Sequence, residues 1–280
     1  MPNAISVHIG VNIVDPNHYS GWSGPLSACE ADADVMTQIA MQQGFAATVL
    51  KTAAATRAAV TNCIADAADK LQRDDFFLLT YAGHGGQIKD VDGDEEDLKD
   101  ETWCLYDGQL LDDELNILWS EFAEGVRIFV LSDSCHSGSV TKGVGATAMA
   151  KRNDLVTEDD ATGVRFMPRK PAIDTFKKNR DFYSNLQYQL PDPRPPIRAT
   201  VRLFSGCQDD QLSSEGEYKG VRNGRFTRTL KDLWADGQFR GNYNDFHKGI
   251  IAAMPETQQP NHLVVGEPSS DYDGQRPFTI

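Results

Sequence analysis

The sequence predicts an α/β fold, with a mostly parallel central sheet and helices on both faces. Two observations carry that expectation. Apolar strand-like runs alternate with helical stretches over residues 5–131, the pattern of strands joined by crossover helices. Two of those runs, 76–81 and 126–131, lead into polar, glycine-containing sequence, as strands do at the ligand-binding edge of an open sheet.

The elements follow in order. Residues 5–14 read as a buried strand and 27–43 as a helix that Gly44 stops. Residues 46–50 form a short strand, and the alanine-rich 54–72 a helix. A strand over 75–81 leads to His84. Residues 89–101 read as an acidic loop, 102–106 as a short strand and 112–123 as a helix. A strand over 126–131 leads to Cys135. Residues 139–197 break the alternation. They carry few apolar periodic runs, many basic residues and prolines at 191, 193, 195 and 196, and read as one long basic loop. Order resumes with a strand at 199–205, helices at 224–235 and 243–254, and a last strand at 262–265. One domain over 1–280 is expected, without internal repeats.

Composition narrows the function. The chain has 280 residues, 40% hydrophobic and 24% charged, with net charge -14. That suits a soluble globular protein. An acidic surface repels nucleic acid and anionic membranes, so neither is expected as a partner. No run is apolar enough to span a bilayer, and residues 1–4 do not resemble the start of a signal peptide. Five cysteines without close paired spacing argue against a disulfide framework and for a reducing, cytoplasmic setting. Cys29, Cys63, Cys104 and Cys207 read as small buried residues.

His84 and Cys135 sit at equivalent positions beyond two strands. A thiolate nucleophile and an imidazole proton shuttle brought to one sheet edge make an acyl-transfer pair. The amides of Gly85 and Cys135 are candidates for stabilising the oxyanion. A hydrolase elbow needs glycine two residues either side of its nucleophile, and here those positions hold Asp133 and Ser137. His136 adjoins Cys135, so in an extended segment it points the other way.

Asp133 shares Cys135's side of the strand by the same alternation. A carboxylate there opposes thiolate formation unless a cationic substrate side chain compensates it. Asp32 stands one turn before Val35 and two before Ile39, on the apolar face of the first helix and near the same sheet edge. Two carboxylates converging on one pocket suit arginine or lysine.

Tyr81-Ala82-Gly83-His84-Gly85-Gly86 with Asp133-Ser134-Cys135-His136-Ser137-Gly138 resembles the caspase-like peptidases, and within them the metacaspases and bacterial orthocaspases. The spacing of the two motifs is close to that of caspases. Cys29-Glu30-Ala31-Asp32-Ala33, Asp94-Glu95-Glu96-Asp97, Asp100-Glu101-Thr102, residues 205–211 and Gly224-Arg225-Phe226-Thr227 extend the likeness along nearly the whole chain. The resemblance implies the caspase–haemoglobinase fold and a His84–Cys135 dyad. It also implies a basic-specific pocket at Asp32 and Asp133. Ala82 belongs to that pocket, where many metacaspases have serine.

The acidic residues 90–101 superficially fit an EF-hand, but the glycine falls at the wrong position and a strand precedes them. Many metacaspases bind an activating calcium. By resemblance the ligands here are Asp100, Asp112 and Asp113. Lys142 stands where the family has a further aspartate, and a lysine competes with the cation. No cofactor is therefore required, and calcium dependence is expected to be weak or absent.

The expected function is a cysteine endopeptidase acting on peptides or proteins after Arg, then Lys, and cutting its own 139–197 loop. The rival class is a silent interaction module of the same fold. Loss of Cys or His would mark that module, and both residues are present.

Overall fold

The computed structural model describes residues 2–89, 99–135, 163–207, 213–218 and 220–280. The chain runs from β1 (Ala4–Gly10) through α1 (Cys29–Gln42) to β2 (Ala46–Lys51), then back through α2 (Arg57–Lys70) to β3 (Phe76–Ala82). A small antiparallel sheet follows, β4 (Gly85–Lys89), β5 (Lys99–Leu105) and β6 (Gly108–Leu111). Helix α3 (Asp112–Ser120) leads into β7 (Arg127–Asp133). Further on lie α4 (Arg169–Lys178), α5 (Arg180–Gln189), β8 (Thr200–Ser205) and the hairpin β9 (Glu215–Tyr218) with β10 (Val221–Gly224). The chain closes with α6 (Arg225–Trp234), α7 (Tyr243–Ala253), β11 (Asn261–Gly266) and α8 (Ser270–Gly274).

The central sheet has the order β11-β8-β7-β3-β1-β2. Its pairs are parallel except β11, which runs antiparallel to β8. Strand pleat sorts its side chains to two faces. From β3, Phe77, Leu79 and Tyr81 pack with Val60 and Ile64 of α2 and Trp119 of α3. Phe76 and Leu78 pack instead with Met36 and Ile39 of α1 and Leu230 of α6. In β7, Ile128 and Val130 join the first cluster, and Phe129 and Leu131 the second. Burying one such side chain is worth about 1.5–3 kcal/mol, so a one-residue slip of β7 would forfeit several at once. The same parity sends Asp133 to the α1/α6 face, where Asp32 lies.

Three sequence expectations change. The first strand ends at Gly10 instead of continuing to 14. A side chain at Gly10 would meet the Cys29 carbonyl oxygen at 2.4 Å, because the chain turns there against the start of α1. The long loop expected over 139–197 carries α4 and α5 in its described part. Their few apolar residues (Phe176, Tyr183, Leu186) pack on Ile88 and Leu111, a signal split between two short polar helices. Finally, β4, β6, β9 and β10 are too short for periodicity to reveal. His136, Gly138, Lys142 and the acidic residues 90–98 lie outside the described residues. Among the described residues no helix is long and apolar enough to cross a membrane.

Candidate active site

Strands β3 and β7 are neighbours, with Ala82 opposite Asp133. His84 and Cys135, each two residues further on, are thereby delivered to one edge. The Nε2 of His84 lies 2.9 Å from the Gly24 carbonyl oxygen. A carbonyl only accepts, so Nε2 carries the proton and Nδ1 keeps its lone pair. That Nδ1 is buried and makes no hydrogen bond among the described residues. Burial drives the His84 pKa down to about 4. Backbone contacts with Gly24 and Phe166 raise it, and the Arg165 charge lowers it. The imidazole is therefore a neutral base at physiological pH. Trp22 packs on the ring at 4.8 Å between centroids.

Cys135 is fully buried, and its Sγ accepts the Ser213 N–H at 2.9 Å. The residue beside it must be glycine: a Cβ on Gly85 would lie 1.5 Å from the Cys135 carbonyl oxygen. The two expected oxyanion donors do converge, because the N–H groups of Gly85 and Cys135 point at a single acceptor. That acceptor is the carbonyl oxygen of Arg165, at 3.1 and 3.0 Å.

Asp32 and Asp133 also converge, and Arg165 fills the space between them. Its Nη2 pairs with Asp32 Oδ2, and its Nη1 lies 3.1 Å from Asp133 Oδ2. Nη1 also donates to the Asp133 carbonyl at 3.0 Å. Each carboxylate is held from behind. Asp133 accepts from Ser213 Oγ (2.7 Å), Thr227 Oγ1 (2.7 Å) and Thr227 N–H (3.0 Å). Asp32 accepts from Asn223 Nδ2 (2.8 Å) and Gly224 N–H (3.0 Å). All three charged side chains are buried. Burial chiefly raises the Asp32 pKa, to about 6; Arg165 pulls it down and Asp133 pushes it up. Burial also works against the guanidinium, but Asp133 and Asp32 outweigh it and hold Arg165 protonated. Ala82 is buried with Asp32, Asp133 and Thr227 around the small gap at the base of the pocket.

A profile of the caspase domain matches residues 11–265. The chain belongs to the caspase-domain family of peptidases. Metacaspase-1 of Candida glabrata is 43% identical over 207 residues, covering 69% of this chain and 48% of that protein. Metacaspase-1 of Eremothecium gossypii is 32% identical over 176 residues, covering 55% and 38%. The chain thus spans less than half the length of these curated relatives. A crystal structure of a Geobacter sulfurreducens protein superposes with a TM-score of 0.87 at 46% identity, covering 100% of this chain and 99% of that one. Caspase-1 from Spodoptera frugiperda, at 12% identity and a TM-score of 0.50 over 95% and 86%, shares the fold. The caspase fold expected from the sequence is thereby shown.

The residues that the resemblance implies as calcium ligands, Asp100, Asp112 and Asp113, are all among the described residues. Asp113 pairs with Arg194 at 2.5 Å. Among the described residues no group of three or more His, Cys, Asp or Glu is arranged to hold a metal. Sequence reasoning missed Arg165, Ser213 and Asn223. Arg165 did carry a signal: it is a lone charge between Val164 and Phe166-Met167, in a stretch that is otherwise polar. Ser213 and Asn223 carried none, since the Ser213 hydroxyl and the Asn223 side-chain amide meet their carboxylates across 80 and 191 residues of chain.

Proposed function

We propose that this protein is a cysteine endopeptidase cleaving after Arg, and after Lys less well, through a Cys135–His84 dyad. One observation supports this above the rest. An arginine's guanidinium fills the two-carboxylate pocket while the same residue's carbonyl engages both candidate oxyanion amides.

The chemistry follows from the groups present. His84 Nδ1 takes the thiol proton, and Cys135 Sγ bonds to the carbonyl carbon. The charge that develops on oxygen is met by the Gly85 and Cys135 amides. As the C–N bond breaks, His84 returns the proton to the leaving amine, and water then hydrolyses the thioester. A planar guanidinium can bond both acids at once, whereas an ammonium offers only a point charge; hence Arg before Lys. No step is drawn through calcium, and dependence on it is proposed to be weak. Substrates are proposed to be peptides or proteins with Arg or Lys at the cleavage site.

The test is hydrolysis of fluorogenic peptides that differ only at P1, by wild type and by Cys135→Ala. Turnover of Arg-P1 by wild type alone is expected. Equal turnover by Cys135→Ala would contradict the dyad.

A further inference from the structure

His84 is held from the 15–24 segment, and that segment is held from far along the chain. The Nε2–H of His84 meets the Gly24 carbonyl at 2.9 Å, and the Trp22 ring lies 4.8 Å from the imidazole between centroids. The fit is close: a Cβ on Gly24 would lie 2.5 Å from the Trp22 ring and 2.9 Å from His84 Nε2. A shift of the segment is therefore a shift of the imidazole. The segment turns at Ser20, whose φ of 55° is a left-handed conformation that a non-glycine residue keeps only where its surroundings impose it. Backbone bonds carry the turn in one piece. The Tyr19 N–H donates to the Asp15 carbonyl (3.1 Å), Gly21 N–H to Pro16 (2.8 Å) and Trp22 N–H to Tyr19 (3.0 Å). One anchor is the Tyr19 hydroxyl, which donates to the Leu105 carbonyl of β5 at 2.7 Å. The other is the α4–α5 hairpin. The Tyr183 hydroxyl lies 2.6 Å from His18 Nε2, Asn179 Nδ2 donates to the His18 carbonyl at 3.0 Å, and the Lys178 ammonium donates to the Asn17 carbonyl. Tyr183 is fully buried, and its hydroxyl also accepts the Gln109 N–H of β6 at 3.1 Å. A hydroxyl has one proton to give, and among the described residues its acceptor is His18 Nε2. One phenol oxygen thus joins the hairpin, the small sheet and the segment that carries both supports of His84.

We propose that Tyr183 is a positioning residue for His84: through His18 and the 15–24 segment, it fixes where the imidazole stands. The catalytic consequence rests on reading His84 as the base of a cysteine peptidase. A core tyrosine that only filled space would need its ring and not its hydroxyl. Without the hydroxyl the hairpin loosens its grip on the segment, while the Tyr19 anchor on β5 remains. The chain should then fold, and the ring should gain play without being lost from the site. The pocket carboxylates are held from other elements, by Ser213, Asn223, Gly224 and Thr227. Loosening the segment should therefore lower kcat and leave KM alone. Misplacing reacting groups by about 1 Å can cost about 10²-fold in rate. A ring that is loosened and not displaced is expected to cost about tenfold.

The experiment reads Tyr183→Phe in two ways. Solvent exchange of the His84 Nε2 proton is followed by NMR in the Cys135→Ala background, where no turnover is needed. In protein that keeps Cys135, kcat and KM on an Arg-P1 peptide are measured per active site, counted by iodoacetamide alkylation of that thiol. Exchange about tenfold faster and kcat about tenfold lower are expected, with KM unchanged. His18→Ala should behave alike. His18→Gln, whose amide oxygen can accept from the same hydroxyl, should recover most of the loss. Tyr188→Phe, at an exposed position on α5, should change neither reading. Wild-type exchange in Tyr183→Phe would overturn the inference, whatever happened to kcat. So would a lower melting temperature or fewer active sites with kcat per site unchanged, which would mark Tyr183 as a packing residue. Faster exchange in a protein that hydrolyses no Arg-P1 peptide even as wild type would bring down the reading of the site and leave the link from Tyr183 to His84 standing.

Discussion

The candidate pocket and the candidate dyad sit a few residues apart and are built on opposite terms. In the pocket, Asp133 and Asp32 accept hydrogen bonds from Ser213, Thr227, Asn223 and Gly224, and their charges are met by Arg165. In the dyad, His84 is fixed through Nε2 while the buried Nδ1 makes no hydrogen bond among the described residues. Binding a cation in a dry cavity needs carboxylates that cannot turn away, because an unpaired buried charge is very costly. Proton transfer needs a nitrogen whose lone pair is not already spent. One sheet edge thus carries a saturated half, proposed to select, and an unsaturated half, proposed to react.

Breaking the reactive half should give the largest effect. Cys135→Ala is expected to reduce Arg-P1 hydrolysis to background, and His84→Ala to lower kcat by about 10²–10⁴-fold, with melting temperatures close to wild type. Gly85→Ala should be nearly as damaging. Its methyl would collide with the Cys135 carbonyl and displace both strand ends, so soluble protein with wild-type kcat would contradict the packing described.

Breaking the selective half should spare chemistry on uncharged substrates. Asp133→Asn is expected to lower kcat/KM for Arg-P1 peptides by about two to three orders of magnitude, the worth of one partner in a buried pair. A uniform loss across all P1 residues would mean that Asp133 supports the nucleophile instead.

A smaller effect separates the two halves by pH. The Asp32 carboxyl is raised to about 6, so it is ionised above that pH and takes up a proton as the pH falls through it. His84, lowered to about 4, stays a neutral base over the same window. The preference for Arg over its neutral isostere citrulline at P1 should therefore shrink below about pH 6 while turnover of neutral substrates holds. Asp32→Asn should flatten that dependence. The smallest expected effect is that of a chelator, which should leave most Arg-P1 activity intact; strong calcium activation lost in Asp112→Ala would show the site to be metal-controlled.

The same contrast explains how much could be read in advance. The sheet, α1 and the strand-end positions of His84 and Cys135 were legible because apolar period and glycine placement are local signals. Asp32 and Asp133 were legible from helix and strand parity. Their supporting shell was not. Ser213, Asn223 and Thr227 reach the carboxylates from segments about 80 to 190 residues away in the chain, and no local pattern marks such a meeting. Arg165 was hidden for a different reason: its meaning lies in the backbone pairing of 163–167, which sequence periodicity does not reveal. Helices α4 and α5 escaped because polar helices packed through a few residues lack a continuous apolar stripe.

Two buried carboxylates and a neighbouring Cys–His pair are proposed to make an arginine-directed peptidase. The most direct measurement is kcat/KM on peptides identical except for Arg, Lys, Asn or Asp at P1. The highest value is expected for Arg, a lower one for Lys and essentially no turnover after Asp; faster cleavage after Asp than after Arg would overturn the proposed function.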